Sequence, residues 1–220
     1  EGLAKLGPAE KGGIHSFGSG TLHLRNTIIA NSLSGGDCNN TGTLATNTNN
    51  LIEDGSCSDG ATGFVTGDPL LSSLGEYGGS ILTHALLPGS PAIDAGDSAA
   101  CADAATVNNL DQRGIARTFG ASCDIGAFES RGFSLGSLTG TPQRAAIYTA
   151  FATPLGLPVS SSYGEPVGPG GRIVLTAPGS GPSVTFAPAT IASTNASGAI
   201  SQPATANGII GNYSVTTTSR

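Results

Sequence analysis

The stretch Gly20-Thr21-Leu22-His23-Leu24-Arg25-Asn26-Thr27-Ile28-Ile29 decides how the first half of the chain folds. Its leucines alternate with polar residues, which places Leu22 and Leu24 on one face of a strand and the polar side chains on the other. Similar tripeptides recur at Gly42-Thr43-Leu44 and at Gly63-Phe64-Val65, so the spacing is about 21 residues. Each tripeptide is followed by a second short apolar run.

A repeat of about 21 residues with two short strands is typical of one coil of a parallel β-helix. Turns are expected at clusters such as Ser34-Gly35-Gly36-Asp37, where positive φ is easily adopted. We expect Asn31 and Asn50 to stack as an internal amide ladder. The repeat fades after residue 75, and Leu82–Asp97 is interpreted as part of an irregular cap on the last coil. Residues 1–130 therefore predict a short right-handed parallel β-helix with an irregular cap.

Composition favours an all-β chain. Among 220 residues there are 34 glycines and 13 prolines, no Met or Trp, and only 11% charged residues. Helical bundles need runs of Leu, Glu, Lys and Ala that are missing here. Nine basic residues spread along a chain of net charge −6 do not form the basic face of a nucleic-acid-binding protein. No apolar run of about 18 residues is present, so no membrane span is expected.

The second half has a different character. Residues 142–220 contain no cysteine and predict an Ig-like β-sandwich, because short strands alternate with turn signals. The segment 131–141 is interpreted as the linker. The strands expected in the sandwich are Ala145–Tyr148, Leu155–Ser160, Ile173–Ala177, Val184–Phe186, Thr190–Ser193 and Tyr213–Thr217.

Four cysteines bear on the compartment. None lies in a CxxC pair, and an even number in an acidic, lysine-poor chain favours disulfides and an oxidising environment. Of the three possible connectivities, proximity favours Cys38–Cys57 and Cys101–Cys123. Each bridge would close a loop of about 20 residues, worth about 3 kcal/mol in the chain-entropy model. Free buried thiols are the alternative.

Five blocks stand in order between residues 24 and 129: Leu24–Ser32, Gly67–Leu71, His84–Asp97, Asp111–Gly114 and Cys123–Glu129. Together they resemble the bacterial choice-of-anchor Q type of extracellular domain with its preceding β-helix coils. The resemblance implies a secreted or surface-attached bacterial protein. It implies no known catalytic activity.

The second half carries its own resemblance, in Thr149–Leu155, Thr194–Gly198, Ala204–Gly208 and Gly211–Thr216. These blocks resemble a bacterial Ig-like repeat of the invasin/intimin kind. Such repeats have one more strand after the one that corresponds to Tyr213–Thr217. The sandwich is therefore expected to lack its last strand and to have an open edge.

Six acidic residues cluster toward the end of the first half: Asp94, Asp97, Asp103, Asp111, Asp124 and Glu129. Paired carboxylates on a β-helix would suit a carbohydrate-active enzyme, although such enzymes use a groove built from many coils. For Asp94, Asp97, Asp111 and Asp124 we favour hydrogen bonds to turns and to the backbone, and pairing with Arg113 or Arg117. A structural Ca²⁺ held by Asp94, Asp97, Asp111 and Asp124 is the alternative, since Ca²⁺ prefers hard oxygen ligands. No other cofactor is expected.

Unpaired strand edges at both ends of the chain would favour association by strand addition. One open surface at each end is a head-to-tail arrangement, which propagates into filaments. The assembly edge is expected at Phe133, Leu135, Tyr213 and Val215. The donor strand is expected to be either the arm Glu1–Gly13 or the segment Phe133-Ser134-Leu135.

The expected function is a non-catalytic extracellular or cell-surface structural protein, whose copies join head to tail into a filament or adhesive fibre. Two other hypotheses remain open. The chain could be a spacer or stalk fragment of a large bacterial adhesin with cell-surface or carbohydrate ligands. It could also be a β-helix enzyme that acts on carbohydrate through the aspartate cluster.

Overall fold

A computed structural model describes residues 13–219 of the chain. The all-β prediction is confirmed, because the described residues contain fourteen strands and only one helix, of five residues. The chain divides into two compact units, one of residues 13–86 and 90–130, the other of residues 87–89 and 131–219. No helix among residues 13–219 is long and apolar enough to cross a membrane.

The first unit is built from six short strands and the helix: β1 Ile14–Ser16, β2 Thr21–Arg25, β3 Ile28–Ile29, β4 Cys38–Asn40, β5 Thr43–Thr48, β6 Leu51–Ile52 and α1 Ser98–Ala102. All of its strand pairs are parallel: β1 with β4, β2 with β5, and β3 with β6. Parallel pairing between successive repeats is what stacked coils require. The right-handed β-helix itself stays a prediction.

The first two repeats pair close to the register that the sequence predicted. Thr21 lies opposite Thr43, at the expected offset of 22 residues. A shift of one residue after Leu22 then makes the offset 23, so Ile28 lies opposite Leu51. The leucine prediction is confirmed, since Leu24 is buried while His23 is exposed.

The predicted register of the third repeat is wrong. Thr62 lies opposite Thr48 and Val65 opposite Leu51, an offset of only 14 residues. Gly63 therefore follows Asn26 and Asn49 at the same corner, where all three adopt positive φ, of 46°, 49° and 61° in chain order. A Cβ at Gly63 would lie 2.7 Å from the Asn49 amide, so only glycine fits beneath that side chain.

The predicted ladder of Asn31 and Asn50 is also wrong. Asn31 is exposed, and its backbone N–H donates to the Glu53 carboxylate at 2.7 Å. Asn50 is fully buried and joins the first two repeats through its side chain. Its amide donates to the Leu24 carbonyl at 3.0 Å and accepts from the Thr27 N–H at 2.9 Å.

Both predicted disulfides are present. Cys38 is bonded to Cys57 and Cys101 to Cys123, with Cα atoms 5.7 Å and 6.7 Å apart. Cys38 packs with Leu24, Ile29 and Ile52 in the core of the stacked strands. The second bridge lies in the segment 90–130, called the cap from here on, and its two cysteines are 22 positions apart in the sequence.

The second unit contains eight strands: β7 Ser134–Leu135, β8 Leu155–Ser160, β9 Arg172–Thr176, β10 Val184–Phe186, β11 Ile191–Ser193, β12 Ala199–Gln202, β13 Ala204–Ala206 and β14 Thr216–Thr218. All pair antiparallel, in sheets of order β12-β8-β7, β11-β9-β14 and β10-β13. The predicted strand Ala145–Tyr148 does not form, and the last strand begins at Thr216 instead of Tyr213. Two of the sheets pack across a core whose buried members are Leu155, Leu157, Val159, Ile173, Leu175, Ala192 and Ile200.

The segment 131–141, interpreted as a linker from its glycines, is part of this second unit. Strand β7 lies within it and pairs with β8, and Thr139 forms a further bridge to Gly156. Phe133, Leu135 and Leu138 pack against the core of the unit. Because these apolar side chains help to cover the hydrophobic core, the segment folds as part of the unit and is not a free linker.

A substitution at Asn50 tests directly how the first two repeats are joined. Replacing Asn50 with Ala leaves the Leu24 carbonyl and the Thr27 N–H buried without their partner. We expect the free energy of unfolding to fall by about 2–4 kcal/mol in urea titrations followed by circular dichroism. The matched control Asn39→Ala removes an exposed side chain from β4 and should cost no more than about 0.5 kcal/mol. Equal losses in the two variants would contradict the bridging role of Asn50.

Candidate functional site

The acidic residues of the cap come together around irregular backbone. Asp94 has positive φ, of 57°, and its Oδ1 accepts from the Ala121 N–H at 2.7 Å and the Ser122 N–H at 3.2 Å. A Cβ at Gly120 would collide with this carboxylate. Asp94 therefore fixes the turn 120–122 rather than facing an open groove.

Asp124 and Glu129 form the buried centre of the cap, being 2% and 0% exposed. Asp124 accepts from the Asp94 N–H at 2.8 Å and from the Ser130 N–H at 2.6 Å. Glu129 accepts from the Asp124 N–H at 2.9 Å. Its other oxygen accepts from the N–H groups of Thr118 and Phe119, at 2.8 Å and 3.0 Å.

Two arginines complete the cap: the pair of Arg113 with Asp111 was predicted, whereas Arg117 lies beside Glu129, which was not among the predicted partners. Arg113 pairs with Asp111 at 2.6 Å, and its guanidinium lies 3.5 Å from the centre of the Phe128 ring. Arg117 lies 3.6 Å from the Glu129 carboxylate and donates to the carbonyls of Leu110, Asp124 and Gly126. The buried carboxylates thus have nearby positive charge, which lowers the cost of burying them.

The remaining aspartates have local roles. Asp97 is the N-cap of α1, and its carboxylate accepts from the Ala99 N–H at 2.9 Å. Asp103 ends the helix and accepts from the Ala105 N–H at 2.9 Å. Asp111 Oδ1 accepts from the N–H groups of Arg113 and Ile115, at 2.8 Å and 3.0 Å.

Each of the four candidate calcium ligands thus accepts hydrogen bonds from backbone N–H groups. Asp94, Asp97, Asp111 and Asp124 are distributed over separate turns and a helix N-terminus. Within residues 13–219, no group of three or more His, Cys, Asp or Glu side chains is arranged to hold a metal ion. The calcium and carbohydrate-enzyme interpretations stay predictions, and hydrogen bonding gives the cluster a structural role.

The predicted assembly residues fall into two groups. Leu135 lies in β7, which is already paired with β8, and Phe133 packs against the core. The segment Phe133–Leu135 is therefore not a free donor strand, a correction that follows from its in-chain pairing. Tyr213 and Val215 precede β14 in the chain, and Val215 packs against the core.

Strand β14 is an edge whose inward side chains are only half covered. Exposure alternates along 213–219, so Tyr213, Val215 and Thr217 form the inward row, and all three are half-buried. On the opposite edge of the same sheet, the inward residue Ala192 of β11 is 4% exposed. The core is thus closed beneath β11 and open beside β14.

The opening is a groove of about 450 Å³ beside this inward row. Its lining includes Leu138, Gln143, Phe151, Leu155, Val184 and Tyr213. Burial raises the pKa of the Tyr213 hydroxyl above its ordinary value, which agrees with a partly enclosed ring. Among the described residues β9 is the sole strand paired with β14, so its other side has no neighbouring strand.

Sequence reasoning missed the far wall of this groove. Leu138 lies in the supposed linker and Gln143 two residues beyond it, while Phe151 lies in the block Thr149–Leu155, to which no role at the open edge was assigned. No local pattern marks these three residues as neighbours of Tyr213 and Val215.

No protein-family model matches this chain, and neither a curated protein nor a solved structure matches it significantly. The two resemblances drawn from sequence blocks therefore stay predictions.

We expect the protonation of Asp124 to make the stability of the cap depend on pH. Burial, together with the nearby Glu129 and Asp94 carboxylates, raises the pKa of Asp124 from 3.8 to about 7 against the effect of its backbone hydrogen bonds. The folded state then holds a proton that the unfolded state releases, so this contribution to stability is lost as pH rises from about 4 to about 7.

The measurement is urea unfolding between pH 4 and pH 8 for the wild type and for Asp124→Asn, which does not titrate. The other acidic groups titrate in both proteins, so their effects cancel in the difference. We expect the wild type to lose stability relative to the variant by up to about 1.4 kcal/mol per pH unit in this window. A difference that does not change with pH would contradict the raised pKa.

Proposed function

We propose that this chain is a non-catalytic structural subunit of an extracellular or cell-surface assembly, and that its open β14 edge accepts a β-strand from a second copy. The observation that carries the proposal is the half-buried inward row of Tyr213, Val215 and Thr217 beside a groove. An added strand would cover this row and pair with the unpaired edge, which is the usual chemistry of strand addition.

The order of strand pairing supports this interpretation. One side of the sandwich runs β7, β8 and β12, while β13, directly after β12, pairs with β10. The other side runs β11, β9 and β14. In the Ig-like repeats that the sequence blocks resemble, one more strand follows the one that corresponds to Tyr213–Thr217. We propose that a donated strand takes its place in the groove.

The distribution of charge supports a second copy as the partner. The sequence of the first unit has 14 acidic and five basic side chains, a formal net charge of −9. That of the second unit has one acidic and four basic side chains, a net charge of +3. Opposite charges favour contact between the second unit of one copy and the first unit of the next, which is a head-to-tail arrangement.

The two disulfides support the extracellular part of the proposal, since such bonds persist in oxidising compartments. The acidic cluster supports the non-catalytic part, because its buried carboxylates accept backbone N–H groups instead of facing a substrate. The donor arm Glu1–Gly13 lies outside the described residues except for Gly13.

A second candidate function is a spacer within a large surface adhesin. It is favoured by the in-chain pairing of β7, which removes Phe133–Leu135 as a strand that could be given to another copy. In a spacer, the strand beside β14 would come from the same polypeptide. The encoding reading frame separates the two functions, since a spacer requires coding sequence well beyond Arg220.

Assembly should depend on protein concentration and on the groove. We expect sedimentation velocity over a hundredfold range of concentration to show growing oligomers, and negative-stain images to show filaments. Val215→Asp places a charge against the half-buried row and should abolish assembly, because an unpaired buried charge is costly. Deleting residues 1–12 should also abolish it if the arm is the donor.

The matched control is Ile191→Asp, which adds the same charge on the opposite edge of the same sheet, where Ile191 is 47% exposed. This variant should assemble like the wild type. Monomers at every concentration would reject the filament, and equal assembly of both Asp variants would reject the β14 edge as the contact.

A further inference from the structure

The first unit carries a large apolar groove, called the leucine groove from here on. Its volume is about 850 Å³, which is within the range of ordinary ligand pockets. Leu74 and Leu82 contribute to its lining and are 55% and 50% exposed. Other apolar residues of the lining are Ile28, Ala30, Leu71 and Ala127.

Polar side chains of the leucine groove already have partners within the chain. The His84 Nδ1 atom lies 2.8 Å from the Ser72 carbonyl oxygen, and the Gln112 amide donates to the Leu82 carbonyl at 2.9 Å. No Asp, Glu, Lys or Arg is among the described residues that line the groove. An apolar occupant would therefore leave these polar groups satisfied, whereas a charged ligand would find no opposite charge in the lining.

The second unit presents an exposed apolar loop, residues 207–211, called the isoleucine loop from here on. Its adjacent residues Ile209 and Ile210 are 54% and 88% exposed. Ile147, which is 44% exposed, lines the same cavity as both of them, so the apolar surface is contiguous. A contiguous group of exposed apolar side chains is typical of an interaction site.

Hydrogen bonds and packing hold the isoleucine loop in one conformation. The Asn207 side chain accepts from the Ile209 N–H at 3.1 Å and donates to the Gly181 carbonyl at 2.8 Å. At the other end of the loop, a Cβ at Gly211 would collide with Pro182, so the backbone packs closely there. A loop that is already ordered loses little conformational entropy when it binds.

Going beyond strand addition, and resting on the proposed association of copies, we infer that the isoleucine loop of one copy inserts Ile209 and Ile210 into the leucine groove of the next copy. Both surfaces are apolar and exposed, so their contact removes apolar area from water. The loop belongs to the second unit and the groove to the first, so the contact is head to tail and can repeat along a filament.

Charge favours a second copy as the partner. Arg144 is exposed and lines the cavity beside the isoleucine loop. Glu76 is exposed in the segment that joins Leu74 to Leu82 at the leucine groove. The two units also carry opposite net charges, which steers the loop of one copy toward the groove of another.

The loop contact is small and acts together with the β14 edge. Two isoleucines bury much less than the ~1,200 Å² of a stable interface, so the contact is weak by itself. When a strand joins the same two copies, the effective concentration of loop and groove rises and the two contacts reinforce each other. We therefore expect Val215→Asp to abolish stable oligomers while it leaves the weak loop contact in place.

The test traps this weak contact by cross-linking. Asn212→Cys, beside the isoleucine loop, and Ser73→Cys, beside Leu74, are made in separate chains, because both positions are exposed and neither removes an apolar contact. The four native cysteines are bonded in pairs, so each variant has a single free thiol. The two variants are mixed with a short bismaleimide, and mixed dimers are identified by mass spectrometry.

We expect mixed dimers to form readily, both in the wild-type background and with Val215→Asp. Adding Ile210→Ser to the first chain, or Leu82→Ser to the second, should slow their formation at least about tenfold, because an apolar side chain is no longer buried. The matched controls are Ile191→Ser in the first chain and Phe119→Ser in the second, at positions 47% and 51% exposed. Both controls should leave the rate unchanged.

The outcomes separate this inference from the function on which it rests. Filaments without mixed dimers, or mixed dimers that Ile210→Ser does not slow, would overturn the inference and leave strand addition intact. Mixed dimers without filaments would overturn strand addition and support the loop contact. Flotation of the wild type, but not of Ile210→Ser, with phosphatidylglycerol vesicles in the absence of mixed dimers would assign the loop to a lipid surface and overturn the inference.

Discussion

The core of the second unit is incompletely covered at one place, the inward row of Tyr213, Val215 and Thr217 at and before β14. A sandwich core excludes water only when every strand has neighbours on both sides or lies at a naturally closed margin. Ile173 and Leu175 of β9 meet this requirement and are essentially fully buried. Thr217 of the adjacent strand β14, and Val215 just before it, are only half-buried, although β14 belongs to the same sheet. The difference lies in the neighbour, since β9 is paired on both sides and β14 on one.

In the first unit, the constraint is that the backbone N–H groups of the cap must find hydrogen-bond partners. Its cap has little regular secondary structure, so many backbone N–H groups lack strand partners and must be paired by side chains. Asp94, Asp124 and Glu129 accept most of these bonds around 118–130, and Arg117 donates to carbonyls of the same loops. The Cys101–Cys123 bridge ties this segment to α1, which contains Cys101. These side chains thus satisfy the backbone hydrogen-bonding groups that strand pairing satisfies elsewhere in the chain.

Local pattern was enough to predict the all-β class, both disulfides and the inward leucines of β2. Spacing was not enough for the third repeat, because the corner at Gly63 follows a shorter loop that tripeptide similarity cannot reveal. Asn50 was expected to stack with Asn31, yet its side-chain amide forms hydrogen bonds with backbone groups of the preceding repeat. An open edge at Tyr213 and Val215 was expected, but the other wall of the groove escaped prediction, since Leu138 and Phe151 meet Val215 only in the folded unit.

The open edge is tested most directly by amide hydrogen exchange along 215–219. In dilute protein, the N–H groups of this stretch that point away from β9 should exchange nearly as fast as unstructured amides. In assembled material, the same groups should be protected by orders of magnitude, while the amides of β8 and β9 remain unchanged. Full protection of 215–219 in dilute protein would contradict an open edge.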